Sequence, residues 1–283
     1  MPPVLRAALW MLGTLTSLAL MAIAGRELSA ELSTLQILFF RSAIGLVIIL
    51  AVIWRAGRHH LATLQPGLQV LRNVAHYIGQ FGWFYGISLL PLAQVFALEF
   101  TMPVWATLLA PLLLKEQITP RRALVVAIGF AGILIVVRPG LVTISPAALA
   151  VLMAAVGYAF AYTLTKKLTR TDTALTIVFY MCLVQLPLGL IPSLFDWVNP
   201  SAAMWPWIMA VSVTGLSAHY CLACAFSEAD AIVVVPMEFL RLPLIAVAGL
   251  LFYGEPLDPW VLAGAAVIFA GNFLNILGER RGS

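Results

Sequence analysis

Charge is scarce in this chain: 10% of its 283 residues are Asp, Glu, Lys or Arg, against 62% apolar residues, whereas soluble domains carry roughly a quarter charged. With a mean hydropathy of +1.01, that scarcity excludes a soluble globular domain and reads as an integral membrane protein. Cysteine is nearly absent as well. Cys182, Cys221 and Cys224 all lie in apolar runs, and the Cys221–Cys224 C-x-x-C has no second pair to complete a metal site. The cysteines read as small helix-packing residues, and neither metal nor cofactor is expected. The net charge of +4 does not point to nucleic acid, because the basic residues sit between apolar runs, where they mark topology.

Long apolar runs, by contrast, fill the sequence. A helix crossing a hydrocarbon core needs roughly 20 apolar residues, and ten runs qualify: 5–25, 33–55, 67–90, 92–114, 121–138, 146–166, 173–195, 203–226, 231–253 and 258–277. Lipid cannot satisfy free backbone groups, so runs this long without alternation are helices. The first lacks a small-residue cleavage site before Arg26 and is expected to be a retained helix rather than a signal peptide. The loops are short, so no soluble domain is expected.

The second half repeats the first. Glu99-Phe100 recurs as Glu238-Phe239, Glu116 as Glu255, Pro120 as Pro259, and Phe130-Ala131-Gly132 as Phe269-Ala270-Gly271, each 139 residues on. Ala7-Ala8-Leu9 recurs as Ala147-Ala148-Leu149, Arg26 as Lys166 and Leu28 as Leu168, each 140 on. The expected organisation is a five-helix repeat over 1–140 and a second over 141–283. Five crossings being odd, the copies insert in opposite orientations, as in many secondary transporters.

With the N-terminus inside, one side holds Arg6, Arg55, Arg58, Lys115, Arg121, Arg122, Lys166, Lys167, Arg170, Arg280 and Arg281, and the other only Arg26 and Arg138. Short cytoplasmic loops retain positive charge, so both termini are expected in the cytoplasm. Trp197, Trp205, Trp207 and Trp260 then form an interfacial belt on the outer side.

Each charge inside a span costs about 2.5–3.5 kcal/mol on insertion scales unless paired or hydrated. Arg41 and Glu99 both fall roughly 10–12 Å below the outer surface at 1.5 Å per residue, so an Arg41–Glu99 ion pair is allowed. The repeat puts Glu238 at matching depth from the other side, but the counterpart of Arg41 is Met181. Arg241, one turn along, can reach Glu238. Either both pairs only neutralise charge and fix packing, or one carboxylate lines a pathway and meets an ammonium group or a proton. Arg72, near the end of its span, can snorkel to the headgroups.

His76-Tyr77 and His219-Tyr220 are identical dipeptides in the third and eighth spans, and His219 aligns with Gln80. These imidazoles are either hydrogen-bonded structure or contacts for a solute or proton. Trp83, Trp105, Phe84, Tyr85, Tyr158 and Tyr162 are too deep for a belt; they fill core or wall a pocket for a small amphipathic solute. Pro103 and Pro111 in the fourth span, with Pro236 and Pro243 in the ninth, read as hinges, since interrupted helices in corresponding positions of two repeats point to a transport site. Gly129, Gly132, Gly264 and Gly271 make the fifth and tenth spans scaffold helices packed on each other about the pseudo-twofold axis.

The ten-span duplication, Arg41 early in its helix, and the motifs Leu98-Glu99-Phe100 through Lys115-Glu116 and Met237-Glu238-Phe239 through Gly254-Glu255 resemble the drug/metabolite transporter superfamily, EamA type. That family commonly has Leu-Glu-Pro. Phenylalanine replaces the proline in both copies here, so the motif's helix-break geometry is not carried over. The resemblance implies an all-α basket of helices around a central cavity, with no catalytic residues. The chain is similar to exporters of aromatic and other neutral amino acids of the YddG type.

The expected function is a ten-helix inner-membrane exporter of amino acids or related amphipathic metabolites, working by alternating access. His76, Tyr77, Gln80, Trp83, Glu99, Trp105, Tyr158, Tyr162, His219, Tyr220 and Glu238 are its candidate substrate contacts. Its expected partners are a small-molecule substrate and membrane lipid, and a monomer suffices because the duplication supplies its own pairing. The alternative within transport is a broad exporter of cationic drugs. A lipid-modifying enzyme would have only His59-His60 as a polar cluster, in what reads as a solvated loop, and a passive channel is disfavoured by the lack of continuous polar faces.

Overall fold

The computed structural model describes residues 3–114, 120–140, 145–168, 170–228, 237 and 240–279. Among them every regular element is helical. The first repeat comprises α1 (Pro3–Leu28), α2 (Thr34–Ala56), α3 (Pro66–Leu89), α4 (Leu92–Glu99), α5 (Met102–Leu114) and α6 (Pro120–Val137). The second comprises α7 (Pro146–Leu168), α8 (Ala174–Ser193), α9 (Trp205–Glu228), α10 (Arg241–Tyr253) and α11 (Pro259–Glu279). Their starts repeat as the sequence does. Ser33 caps α2 by accepting from the Gln36 N–H, and Thr173, 140 residues on, caps α8 by accepting from the Thr176 N–H, each satisfying an orphan donor of its first turn. Pro120 and Pro259 open α6 and α11, where a missing N–H costs nothing.

Five stretches, Leu5–Leu28, Thr34–Ala56, Leu92–Leu109, Pro146–Thr165 and Ala174–Asp196, are long and apolar enough to cross a membrane. The outward faces carry exposed Leu9, Leu20, Val47, Leu134, Leu149, Val213 and Leu251. That is the inside-out pattern of a bundle solvated by acyl chains.

The main packing partners lie across the repeat boundary. α1 packs on α9, α3 on α7, α2 on α8, α4 on α10 and α6 on α11. Exchanging the repeats turns the α1–α9 contact into the α7–α3 contact and leaves the α2–α8 and α6–α11 contacts unchanged, which is the signature of a pseudo-twofold axis. The repeats are inverted. One end of the bundle is marked by Arg26, Leu92 and Glu255, the other by Arg6 with Glu228 and by Thr63 with Asp172. α1 runs towards the Glu255 end while its counterpart α7 ends beside Asp172.

Small residues set the closest approaches. A Cβ on Gly132 of α6 would stand 2.9 Å from the Gly264 carbonyl oxygen of α11, and one on Gly264 would stand 2.8 Å from that of Gly132. These two helices pack on each other as the sequence suggested. A Cβ on Gly82 of α3 would stand 2.3 Å from the Ala150 carbonyl oxygen of α7.

The fourth apolar run is two helices, interrupted at Phe100-Thr101. Pro103 accounts for the break, because it has no N–H for the Glu99 carbonyl and its ring crowds that oxygen. Backbone N–H groups of Phe100 and Thr101 turn back to Phe96 and Leu98 at 3.0 and 3.2 Å, and α5 restarts with Val104 bonded to Thr101 at 2.9 Å. The break is thus kept although phenylalanine follows Glu99, the interrupting proline standing three residues further on. Pro111 lies within α5 and does not interrupt it. In the second repeat α10 begins at Arg241 after a turn in which the Leu240 N–H meets the Met237 carbonyl at 3.1 Å, with Pro243 in its first turn. Pro236 lies outside the described residues.

Replacing Gly82 with alanine forces α3 and α7 apart and is expected to cost about 1–3 kcal/mol, read as a lower thermal midpoint of the detergent-solubilised protein. Gly67→Ala, in the first turn of the same helix, meets nothing within 4 Å and should leave the midpoint unchanged or raise it.

Candidate functional site

Two buried polar assemblies sit where the repeats meet. In the first, Glu99 at the end of α4 takes Arg241 Nη2 on Oε1 at 3.2 Å and Trp83 Nε1 on Oε2 at 2.8 Å. The Arg241 guanidinium lies over the rings of Phe96 and Phe100, 5.0 and 5.2 Å from their centroids. Aromatic faces and a carboxylate together offset the loss of water around a charge that is only 4% exposed. The pairing differs from the one read from the sequence. Glu99 is neutralised by Arg241 of the other repeat and not by Arg41, because α4 packs on α10 whereas α2 packs on α8 and α9. Glu238 lies outside the described residues.

The second assembly joins α2, α3, α7, α8 and α9. His76 of α3 stands edge-to-face with His219 of α9, ring centroids 5.3 Å apart, and 5.5 Å from the ring of Tyr158 on α7. Gln185 of α8 gives its Nε2 to His76 Nδ1 at 3.0 Å and to the Asn73 carbonyl at 3.3 Å. Arg72 gives Nη1 to Asn73 Oδ1 at 2.6 Å and Nε to Thr165 Oγ1 at 2.9 Å. It does not snorkel: α3 begins at Pro66, nearly two turns below it, and its head is buried against α7. Arg41 of α2 is buried against Gly215 of α9, and both arginines act electrostatically on His76 and His219. Tyr162 is within the same reach of Arg72. Gln80, one turn above His76, is buried with its Oε1 unsatisfied among the described residues.

Other candidates fall elsewhere. Tyr77 is buried on the α8 side, its hydroxyl donating to the Leu188 carbonyl at 3.0 Å. Trp83 is core, 2% exposed, packed edge-on to Phe84 and Phe96. Trp105 gives its indole N–H to Thr101 Oγ1 at 3.0 Å and packs against Phe130 of α6, away from the histidines. Tyr220 is 47% exposed and packs edge-on to Trp10, so only one residue of its dipeptide joins the cluster. A helix turns each neighbour by about 100°, which sends His219 inward and Tyr220 out. Asn73, Thr165 and Gln185 were missed; the available signal was polar side chains in otherwise apolar runs.

Each end of the bundle is tied by contacts between repeats. At one, Glu255 pairs with Arg26 at 3.0 Å and accepts from the Leu92 N–H at 2.7 Å, at the start of α4. Arg26 also donates to the Leu90 carbonyl and covers the Tyr253 ring, and Tyr253 donates to Glu27 at 2.9 Å. At the other, Asp172 accepts from Thr63 at 2.5 Å and Gln69 at 2.7 Å.

An apolar-faced bundle of two inverted repeats, with polar groups buried between them and tethers at both ends, defines a multi-pass membrane carrier. The EamA-like transporter family model matches residues 5–138 and again 145–277, and the chain belongs to that family, within the drug/metabolite transporter superfamily. It is a small-molecule transporter rather than an enzyme. It is 25% identical over 272 residues, 96% of this chain and 92% of the relative, to an S-adenosylmethionine uptake transporter of Rickettsia prowazekii. It is 30% identical to a riboflavin transporter of Vibrio cholerae, covering 93% and 90% of the two chains. Identity is also 30% to the pseudopaline exporter CntI of Pseudomonas aeruginosa, covering 86% of each. A solved structure superposes with a TM-score of 0.67 at 17% identity over 97% of this chain and 98% of its own, which supports the fold alone.

Because removing one partner strands the other as a buried charge, Glu99→Gln and Arg241→Gln are each expected to cost about 3–5 kcal/mol. Thermal midpoints of the single and double variants check this: the double should lose less than the sum of the singles. The same cycle on Arg41 and Glu99 should be additive.

Proposed function

We propose that this chain carries amino acids or related small amphipathic metabolites across a bacterial inner membrane by alternating access, with the solute held at the His76–His219–Tyr158 cluster. The observation that supports this most is the position of the cluster. His76 and Tyr158 are buried and His219 half-buried, near mid-depth of α3 and α9, on helices of both repeats, so a rocking motion of one against the other exposes the cluster to either side in turn. Its aromatic rings and imidazoles suit a solute with a flat or apolar part and a few hydrogen-bonding groups. The relatives agree in chemical type, since S-adenosylmethionine joins an amino-acid head to a heteroaromatic ring and riboflavin joins a flat ring to a polar chain. The excess of basic residues in the loops on the Asp172 side favours that side as cytoplasmic, with both termini there.

Purified protein in liposomes should take up labelled phenylalanine, S-adenosylmethionine or riboflavin saturably, with excess unlabelled compound competing; uptake of none of the three by folded protein refutes the substrate class. On the compound carried, His76→Ala is expected to lower uptake about tenfold or more, equivalent to at least about 1.4 kcal/mol, at unchanged folded yield. Trp105→Ala and Tyr220→Ala, outside the cluster, should leave uptake within about twofold of wild type.

A further inference from the structure

Four of the described arginines are answered by carboxylates. Glu99 holds Arg241, Glu255 holds Arg26, Asp258 holds Arg138 and Glu228 holds Arg6. Arg41 departs from this pattern. It is 4% exposed, and its Nε and Nη2 are buried without a hydrogen-bond partner among the described residues. Gly215 leaves the guanidinium its place, since a Cβ there would stand 2.6 Å from Nε. Arg72, within electrostatic reach of it, is bonded among the described residues to the neutral Thr165 and Asn73. The remaining described carboxylates are occupied or distant: Glu27 takes Tyr253, Glu31 takes Ser201, Asp172 takes Thr63 and Gln69, and Asp196 is on an exposed turn.

Two guanidinium groups in the membrane interior, one with orphan donors and neither with a described counter-ion, are costly to keep. A fork of unfilled N–H groups matches the paired oxygens of a carboxylate or phosphate. We propose that Arg41, backed by the charge of Arg72, is the receptor for an anionic group of the transported solute. The carrier therefore selects anions and zwitterions over cations. Among the described residues the buried Oε1 atoms of Gln80 and Gln185 also lack donors, which leaves them to accept from an ammonium or amide N–H of the same solute. The inference rests on the carrier reading above and sharpens it, against an exporter of cationic drugs.

The test is ligand-dependent thermal stabilisation of the purified full-length protein at constant ionic strength, with benzoate, phenyl phosphate, benzamide and benzylammonium as probes. Benzoate or phenyl phosphate should raise the midpoint saturably while benzamide and benzylammonium do not, and the stronger of the two anions distinguishes carboxylate from phosphate recognition. Arg41→Gln should weaken the anion response at least about tenfold, and Arg41→Lys, which keeps the charge and loses the fork, should fall between. If Arg41→Gln does not fold, the comparison of anion and cation on wild type still decides. Equal responses to benzoate and benzylammonium, or none to either anion, would overturn the proposal. So would a double variant Arg41→Gln/Glu238→Gln that recovers folded yield lost in Arg41→Gln, since the guanidinium would then be neutralised within the chain. Anion binding without uptake of the three labelled compounds would count against the substrate class alone. Uptake without anion preference would count against Arg41 alone.

Discussion

A carboxylate within a membrane-spanning helix must be neutralised inside the protein, because acyl chains offer it nothing, and Glu99 is neutralised by Arg241 of the opposite repeat. That contact holds the fourth spans of the two repeats against each other. It also uses the helix break. Pro103 ends α4 at Glu99, so the carboxylate stands at an irregular point of the backbone where Trp83 can reach its second oxygen. Phe96 and Phe100, on either side of the break, close over the guanidinium. Charge, aromatic faces and interrupted backbone thus depend on one another, and the α4–α10 contact is the place where they meet.

The duplication explains most of the remaining packing, and its departures from symmetry coincide with the polar interior. α2 on α8 and α6 on α11 are contacts of like with like, and the caps of Ser33 and Thr173 repeat in kind. The counterpart of Arg41, however, is Met181, 1% exposed, and the counterpart of His219 is Gln80. The two copies therefore differ in the polar groups they bury, Arg41 and Gln80 in the first standing opposite Met181 and His219 in the second. On the reading proposed above, the symmetric scaffold supplies two interchangeable conformations and the asymmetric lining a preference among solutes.

On the carrier reading, the tethers at the two ends gain a role. Glu255, Arg26 and the start of α4 close one end; Asp172, Thr63 and Gln69 close the other. Access to the cluster from either side requires the corresponding tether to part. Both are composed of a few hydrogen bonds and at most one ion pair, interactions small enough for a bound solute to outweigh through its differential contacts in two states.

Ten spans, the duplication and the glycine-mediated contact of α6 with α11 were legible in the sequence, because hydropathy, repeat offset and small-residue placement act along one dimension. Depth was legible for the same reason: Arg41, Glu99, His76 and His219 were recognised as lying inside the spans from position along the helix alone. What remained hidden was azimuth and neighbour order. Trp105 and Tyr220 have suitable depth but face Phe130 and Trp10. Arg72 sits near a helix end yet turns into the bundle, and the interruption at Phe100 depends on a proline three residues beyond the motif. By itself the sequence determined which residues enter the membrane and how deep, since burial in lipid is dictated residue by residue. Only the tertiary structure decided that Glu99 meets Arg241 and that Arg41 is left without a described counter-ion, since helices distant in sequence are brought together by packing of their side chains.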